Sequence, residues 1–251
     1  MIACQQLESL AKAPALAKAH DVAFVRFSSP DPAVWEEFLR DFGFKTALKT
    51  DDALYSRGVS AAPFHHVVHV GPPQFLGFGF TMNSLEDLEA LTKEEGAVTG
   101  IEDIPDPIGG GQRVVLMDPD GFSVEAVYGQ NAEKIPSHMG RTLVNSSGVY
   151  DRQGVDTKTG KNILQNVGNR ELGGRKALDS TTYPPEVMRL GHLQLNVTNL
   201  PRSFEWYRRR FGIVPSDSIG VPAEDGAIAI GVFNHVDRCV SKLCFLRASS
   251  S

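Results

Sequence analysis

From Leu190 to Val197 the residues alternate, with Leu193, Leu195 and Val197 on one side and His192, Gln194 and Asn196 on the other. A period of two predicts a half-buried strand. Its polar side carries a His, a Gln and an Asn in line, which suits a cavity wall better than plain solvent. Thr198 or Asn199 can cap a helix after the strand, and Pro201 suits a first helical turn. Phe204, Tyr207 and Phe211 then recur at helical spacing before Gly212, a helix stop. The same order of elements occupies Asp21 to Phe44: a strand, an Asp-Pro helix start, an apolar stripe at Trp35, Phe38 and Phe42, then Gly43. Sliding one stretch onto the other so that Phe42-Gly43 meets Phe211-Gly212 also sets Glu36 on Glu205 and Pro32 on Pro201. That is an internal repeat of structure. In this alignment Ala23, Val25 and Phe27 fall on His192, Gln194 and Asn196, so the cavity side is apolar in the first copy and polar in the second.

The rest of the chain fills in around these two stretches. Residues 1–20 form an Ala/Leu-rich extension, expected to be helical with Leu7 and Leu10 inward. Short strands are expected after the first helix at 45–48, 53–57 and 65–70. A second unit opens with a strand over 75–82, a cap at Asn83 or Ser84 and a helix through Leu85, Leu88 and Leu91, with Glu86 and Asp87 in the first turn where the dipole favours them. Strands over 113–117 and 122–128 are joined by Asp118-Pro-Asp-Gly121, a strong turn signal. Two strand-helix-strand-strand-strand units thus make one module over 21–129. Residues 130–188, rich in Gly, Ser, Asn and Thr and without periodicity, read as a long linker. Residues 189–251 suffice for one further unit, half a module. The fold class is α+β, with paired units forming a cupped, barrel-like sheet.

Composition narrows the function. A formal net charge of −5 over 251 residues offers no basic patch for nucleic acid. Arg208-Arg209-Arg210 is the local exception, expected as the solvated end of a helix beside its C-terminal dipole. Cys4, Cys239 and Cys244 are few and lack CxxC spacing, which suits a reducing compartment. No apolar run reaches the ~18 residues of a membrane span, and Glu8, Lys12 and Lys18 interrupt the N-terminus, so neither a membrane nor secretion is expected and the location reads as cytoplasmic. Gly109-Gly-Gly is no phosphate loop, and neither GxSxG nor HExxH occurs.

The segments GHLQLNVTNLPRSFEWYRRRFGI, HVGPPQFLGFGF and VVLMDPDGFSVEAVYG resemble the vicinal oxygen chelate superfamily, and within it the two-module extradiol ring-cleaving dioxygenases. The resemblance implies a metal-free first module and a second module holding Fe(II) or Mn(II), which bind a catecholate and oxygen. On that basis His192 is the candidate first metal ligand, with Gln194 and Asn196 lining the substrate pocket. The family's second His comes after a short Asp-Arg-Gly loop; here Val236-Asp237-Arg238 leads into Cys239-Val-Ser-Lys-Leu-Cys-Phe-Leu, with no His and no final Glu. His235 precedes that point and does not match. Glu125 stands where glyoxalase-type relatives place a ligand, but Ala23 and the 77–80 run replace its partners. His65, His66 and His69 are read as structural. Three functions are expected as alternatives: ring cleavage of a small aromatic with the metal site completed from a second subunit of a homodimer, metal-free binding in an apolar cup of Ala23, Val25, Phe27, Phe78 and Phe80, or a non-catalytic homologue whose open sheet edge pairs with another chain.

Overall fold

The computed structural model describes residues 14–134, 187, 189–223, 226–236 and 243–247. The expected helix over the first residues and the body of the 130–188 segment lie outside these. Within them, Leu16 is exposed and Ala17 buried, and the first strand already begins at Ala19.

The first unit is β1 (Ala19–Ser29), α1 (Pro32–Asp41), β2 (Lys45–Lys49), β3 (Ala53–Arg57) and β4 (His66–Val70). The second is β5 (Gln74–Met82), α2 (Leu85–Leu91), a two-residue β6 (Glu102–Asp103), β7 (Gln112–Met117) and β8 (Ser123–Tyr128). Together they form one eight-stranded sheet in the order β2-β3-β4-β1-β5-β8-β7-β6. Each unit pairs its first strand parallel with its own last strand, β1 with β4 and β5 with β8. The two first strands meet antiparallel at the centre. A third unit, β9 (Leu193–Val197), α3 (Leu200–Phe211), β10 (Val214–Ala223), β11 (Gly226–His235) and β12 (Leu243–Arg247), forms a four-stranded sheet in the order β10-β11-β12-β9. The Leu-Cys-Phe-Leu stretch that departs from the family pattern in sequence is the last strand of this unit, paired parallel with β9.

Local chemistry sets the helix ends. The side chains of Asp31, Ser84 and Asn199 each accept a backbone N–H of the first helical turn, and Ser84 forms a reciprocal capping box with Asp87. Gly212 ends α3 in the left-handed region at φ 67°, where glycine has no Cβ to clash.

The largest core cluster lies on the helix side of both sheets, and a smaller one around Phe24, Tyr55 and Phe64 lies on the opposite face of the first. Phe204, Tyr207 and Phe211 are fully buried, as their spacing predicts. Beyond their own sheet, where Tyr207 meets Phe245, they reach the first module: Tyr207 stacks on Phe78 at 6.1 Å and Phe211 meets Phe80 at 4.7 Å. Helix α3 is therefore shared between the sheets, and one apolar cluster runs through both.

Two expectations are corrected by this packing. Phe78 and Phe80 do not line a cup; they face α3, and Val25 and Phe27 lie on the same helix side, Phe27 stacked on both Trp35 and His66. In α1 the buried residue is Leu39, while Phe38 and Phe42 are 55% and 61% exposed. The helix packs through Trp35 and Leu39 rather than along the aromatic stripe.

Candidate functional site

The inner side of the first module is the face away from its helices. A register shift between Val22 and Phe24 turns the strand, so that Phe24 and Arg26, opposite Gly79 and Gly77, point inward. The two glycines are required there: a Cβ on Gly79 would sit 2.5 Å from the Phe24 ring, and one on Gly77 would sit 1.9 Å from the Ser123 carbonyl oxygen. Phe24 packs with Tyr55 and Phe64.

Glu125 reaches the same face from β8 and is nearly fully buried. Its two oxygens accept from the Arg26 guanidinium, and Arg113 adds a further bond at 3.2 Å. Arg26 lies 4.8 Å over the Phe24 ring and donates to Nε2 of His69 at 3.1 Å. Burial, then the Arg26 charge, lowers the His69 pKa. A carboxylate already held by two guanidiniums is a poor cation ligand, since an incoming metal would meet two positive charges. Glu125 is thus placed as an ion-pair partner.

The clustered histidines are not brought together. His65 accepts the Gly58 N–H at Nδ1 and sits 2.9 Å from the Ser60 hydroxyl. His66 lies on the helix side against Phe27 and Trp35, and His69 on the inner side. Burial pushes the pKa of both His65 and His66 down to about 4. Among the described residues no group of three His, Cys, Asp or Glu side chains could hold a metal ion.

In the third unit the alternation is as expected from sequence. Leu195 and Val197 are buried towards α3, while His192, Gln194 and Asn196 are exposed on the opposite side. His192 itself precedes the first residue of the strand. Gln194 and Leu195 run parallel to Cys244 and Phe245 of β12. His235 closes β11, opposite Val214.

The equivalence of the two units differs by one position from the sequence slide. Aligned on their caps, Asp31 and Asn199, the strands match side for side: Phe24 corresponds to His192, Arg26 to Gln194 and Ser28 to Asn196. The extra residue between the cap and the stop glycine of the third unit explains the difference, because helix ends and strand faces cannot both be kept by a rigid slide.

The turn Asp118–Gly121 has a role that sequence reasoning missed. The Asp118 side chain accepts the backbone N–H groups of Asp120 and Phe122, which shapes the turn, and also the Tyr207 hydroxyl at 2.7 Å. Burial raises the Asp118 pKa, opposed by these hydrogen bonds. Asp120 accepts from Thr198 and Ser203 of the third unit. The signal was present in the long-range need of buried Tyr207 for a partner, but nothing local names that partner. The arginine run is also not a solvated end. Arg208 and Arg210 are buried, Arg210 lies 4.7 Å over the Trp206 ring and pairs with Glu94 at 3.1 Å, and Arg209 binds Glu94 at 3.0 Å. These contacts tie α3 to the segment after α2.

No family model and no curated protein matches the sequence. Solved structures do resemble it. The Mn(II)-bound glyoxalase from Novosphingobium aromaticivorans matches with a TM-score of 0.65 at 12% identity, over 92% of this chain and 63% of that one. Homoprotocatechuate 2,3-dioxygenase from Arthrobacter globiformis matches with a TM-score of 0.66 at 17% identity, over 95% and 62%. The Brevibacterium fuscum homoprotocatechuate 2,3-dioxygenase in complex with 3,4-dihydroxyphenylacetate gives 0.62 at 18% identity, over 94% and 62%. The chain therefore spans less than two thirds of the length of these structures. Paired strand-helix-strand units, a central antiparallel first-strand pair and these neighbours together identify the fold as that of the vicinal oxygen chelate superfamily.

Proposed function

We propose that this chain binds a small catechol-type aromatic on the open face of its third unit, with His192, Gln194 and Asn196 as the contacting side chains. The observation that carries the reading is the contrast between equivalent strands. In the first unit Phe24 and Arg26 are taken up by packing and by the Glu125 ion pair. In the third unit three hydrogen-bonding side chains in line remain exposed, backed by a buried apolar face. Carboxamide oxygens accept the hydroxyl protons of a catechol, and the imidazole offers a further nitrogen. The dioxygenase neighbour captured with 3,4-dihydroxyphenylacetate supports the substrate class.

These residues do not fit a complete Fe(II) or Mn(II) site. A facial triad needs two imidazoles and a carboxylate, and this face supplies one imidazole and two weakly ligating carboxamides among the described residues. His192 serves as a first ligand only where two further donors come from outside this set, so no ring-cleaving step is assigned to it. Metal-free binding inside the first module is disfavoured, because Phe24, Tyr55, Phe64 and the Arg26–Glu125–Arg113 network occupy that face.

Calorimetric titration with 3,4-dihydroxyphenylacetate and 3-methylcatechol tests the proposal. Gln194→Ala and Asn196→Ala are each expected to weaken binding about tenfold, the worth of one hydrogen bond. Binding indifferent to both substitutions would sink the reading. Oxygen uptake by the chain with added Fe(II) is expected to stay at background; turnover lost in His192→Ala would show a completed metal centre instead.

A further inference from the structure

We infer that strand β9 is a pairing edge for a second copy of this chain, with the two-fold axis passing at Leu193. The inference stands on backbone pairing and does not rest on aromatic binding.

In the first module each unit's first strand has two neighbours: its own last strand, parallel, and the first strand of the other unit, antiparallel. In the third unit β9 has the first of these, β12, and ends the sheet on its other side among the described residues. Sheet edges are aggregation-prone unless blunted by lysine, proline, charge or shortness. The other edges of the two sheets are blunted in those ways. Strand β2 carries Lys45 and Lys49, β6 has two residues, and β10 carries Pro215, Asp217 and Pro222. Strand β9 reads Leu-Gln-Leu-Asn-Val and has no such guard. An unguarded edge beside three guarded ones points to a strand partner.

The symmetry inside the first module identifies that partner. Val25 and Phe78 face each other across the β1–β5 pair, and each stands six positions before its helix cap, Asp31 or Ser84. The two units are thus related by a local two-fold through that pair. Residues one step on either side pair crosswise, Phe24 with Gly79 and Arg26 with Gly77. In the third unit the residue six positions before the cap Asn199 is Leu193, which turns to the helix side as Val25 and Phe78 do. A strand that pairs with its own copy in the same register is self-complementary, as a two-fold interface requires. Leu193 then faces Leu193 of the second copy, and His192 faces Gln194 of the second copy. Two imidazoles and two carboxamides come together on the inner face, which neither copy assembles alone.

Sedimentation equilibrium on the 251-residue chain, without ligand, is the test. The wild type is expected to dimerise. The double substitution His192→Lys/Gln194→Lys sets lysine opposite lysine twice, and is expected to raise the dissociation constant tenfold or more, on the order of 1.4 kcal/mol. Both side chains are exposed, so the far-UV circular dichroism should not change; Asn196→Lys is a second variant on the same exposed face. Hydrogen exchange at the β9 amides that do not bond to β12 should be slow in the dimer and fast in the double variant. A chain monomeric at every concentration would overturn the inference. So would a dimer that ignores both lysine variants, or a monomer whose β9 amides exchange slowly because its own chain covers the edge.

Discussion

Arg26 decides what the first module's inner face can do. It occupies the strand position that Gln194 holds in the third unit, and its charge keeps the Glu125 carboxylate paired. Removing it by Arg26→Met leaves Arg113 as the remaining guanidinium on Glu125. The expected loss is on the order of 2–3 kcal/mol, below the cost of a buried pair stripped completely, and urea unfolding measures it. Fe(II) or Mn(II) should show no competition with that ion pair, so metal titration of the His192→Ala variant should leave no site that depends on Glu125. His65 and His66 make a pH prediction. Their folded pKa values, about 4, lie below the ordinary histidine value of 6.5. The unfolded chain therefore binds more protons between those values, so stability is fully present above pH 6.5 and is lost as pH falls towards 4, by up to about 3 kcal/mol for each histidine. His66 Nδ1 has no hydrogen-bond partner while its ring stacks on Phe27. His66→Phe should accordingly keep the fold at pH 7 and flatten the acid slope of the unfolding free energy.

At the level of elements, the Asp118–Gly121 hairpin turn and helix α3 act together. Asp118 shapes its own turn with two backbone contacts and also receives the Tyr207 hydroxyl from the third unit. Tyr207→Phe removes a bond to a charged acceptor, and a loss of about 1.5–3 kcal/mol is expected in chemical denaturation. Asp120→Ala frees Thr198 and Ser203 together, and should loosen the start of α3 before it affects the β7–β8 hairpin. Hydrogen exchange resolves that order. In α1 the same kind of comparison separates sequence pattern from packing. Leu39→Ala should destabilise by about 2–5 kcal/mol, and Phe38→Ala by much less, although periodicity alone would rank Phe38 higher.

For the whole molecule, the shared helix makes the two sheets one cooperative body. Phe204, Tyr207 and Phe211 belong to the same apolar cluster as Phe78, Phe80, Leu88 and Leu91 of the first module. Phe211→Ala is expected to cost about 3–5 kcal/mol and to lower the stability of both sheets. The chain has two tryptophans, Trp35 in α1 and Trp206 in α3. Single-tryptophan variants, Trp35→Phe and Trp206→Phe, should report coincident unfolding midpoints; separate midpoints would mean that α3 docks without coupling.

Local pattern determined the elements. Alternation in β9, the aromatic spacing of α3, a cap at Asn83 or Ser84 and one at Thr198 or Asn199, the Asp-Pro-Asp-Gly turn and the glycine stop at Gly212 each rest on neighbours in sequence, and each is present in the structure, which chooses Ser84 and Asn199 as the caps. That His192, Gln194 and Asn196 share one side of their strand was legible for the same reason, since side alternates with every residue of a strand, whereas that side is exposed and not the cavity wall expected of it. The residues lying across from each of them were not legible. A single shifted position near Ala23 exchanged the inner and helix sides of β1, so Val25 joined the core on the helix side and Arg26 became the partner of Glu125. The burial of Arg210 likewise depended on Glu94 and Trp206, one far off in sequence and one at a helical offset that only packing makes close. Sequence sets periods and caps because these are short-range and steric. Register between strands and the choice of charge partner belong to the tertiary structure, because a shift of one residue leaves every local preference satisfied and reverses which side chains meet.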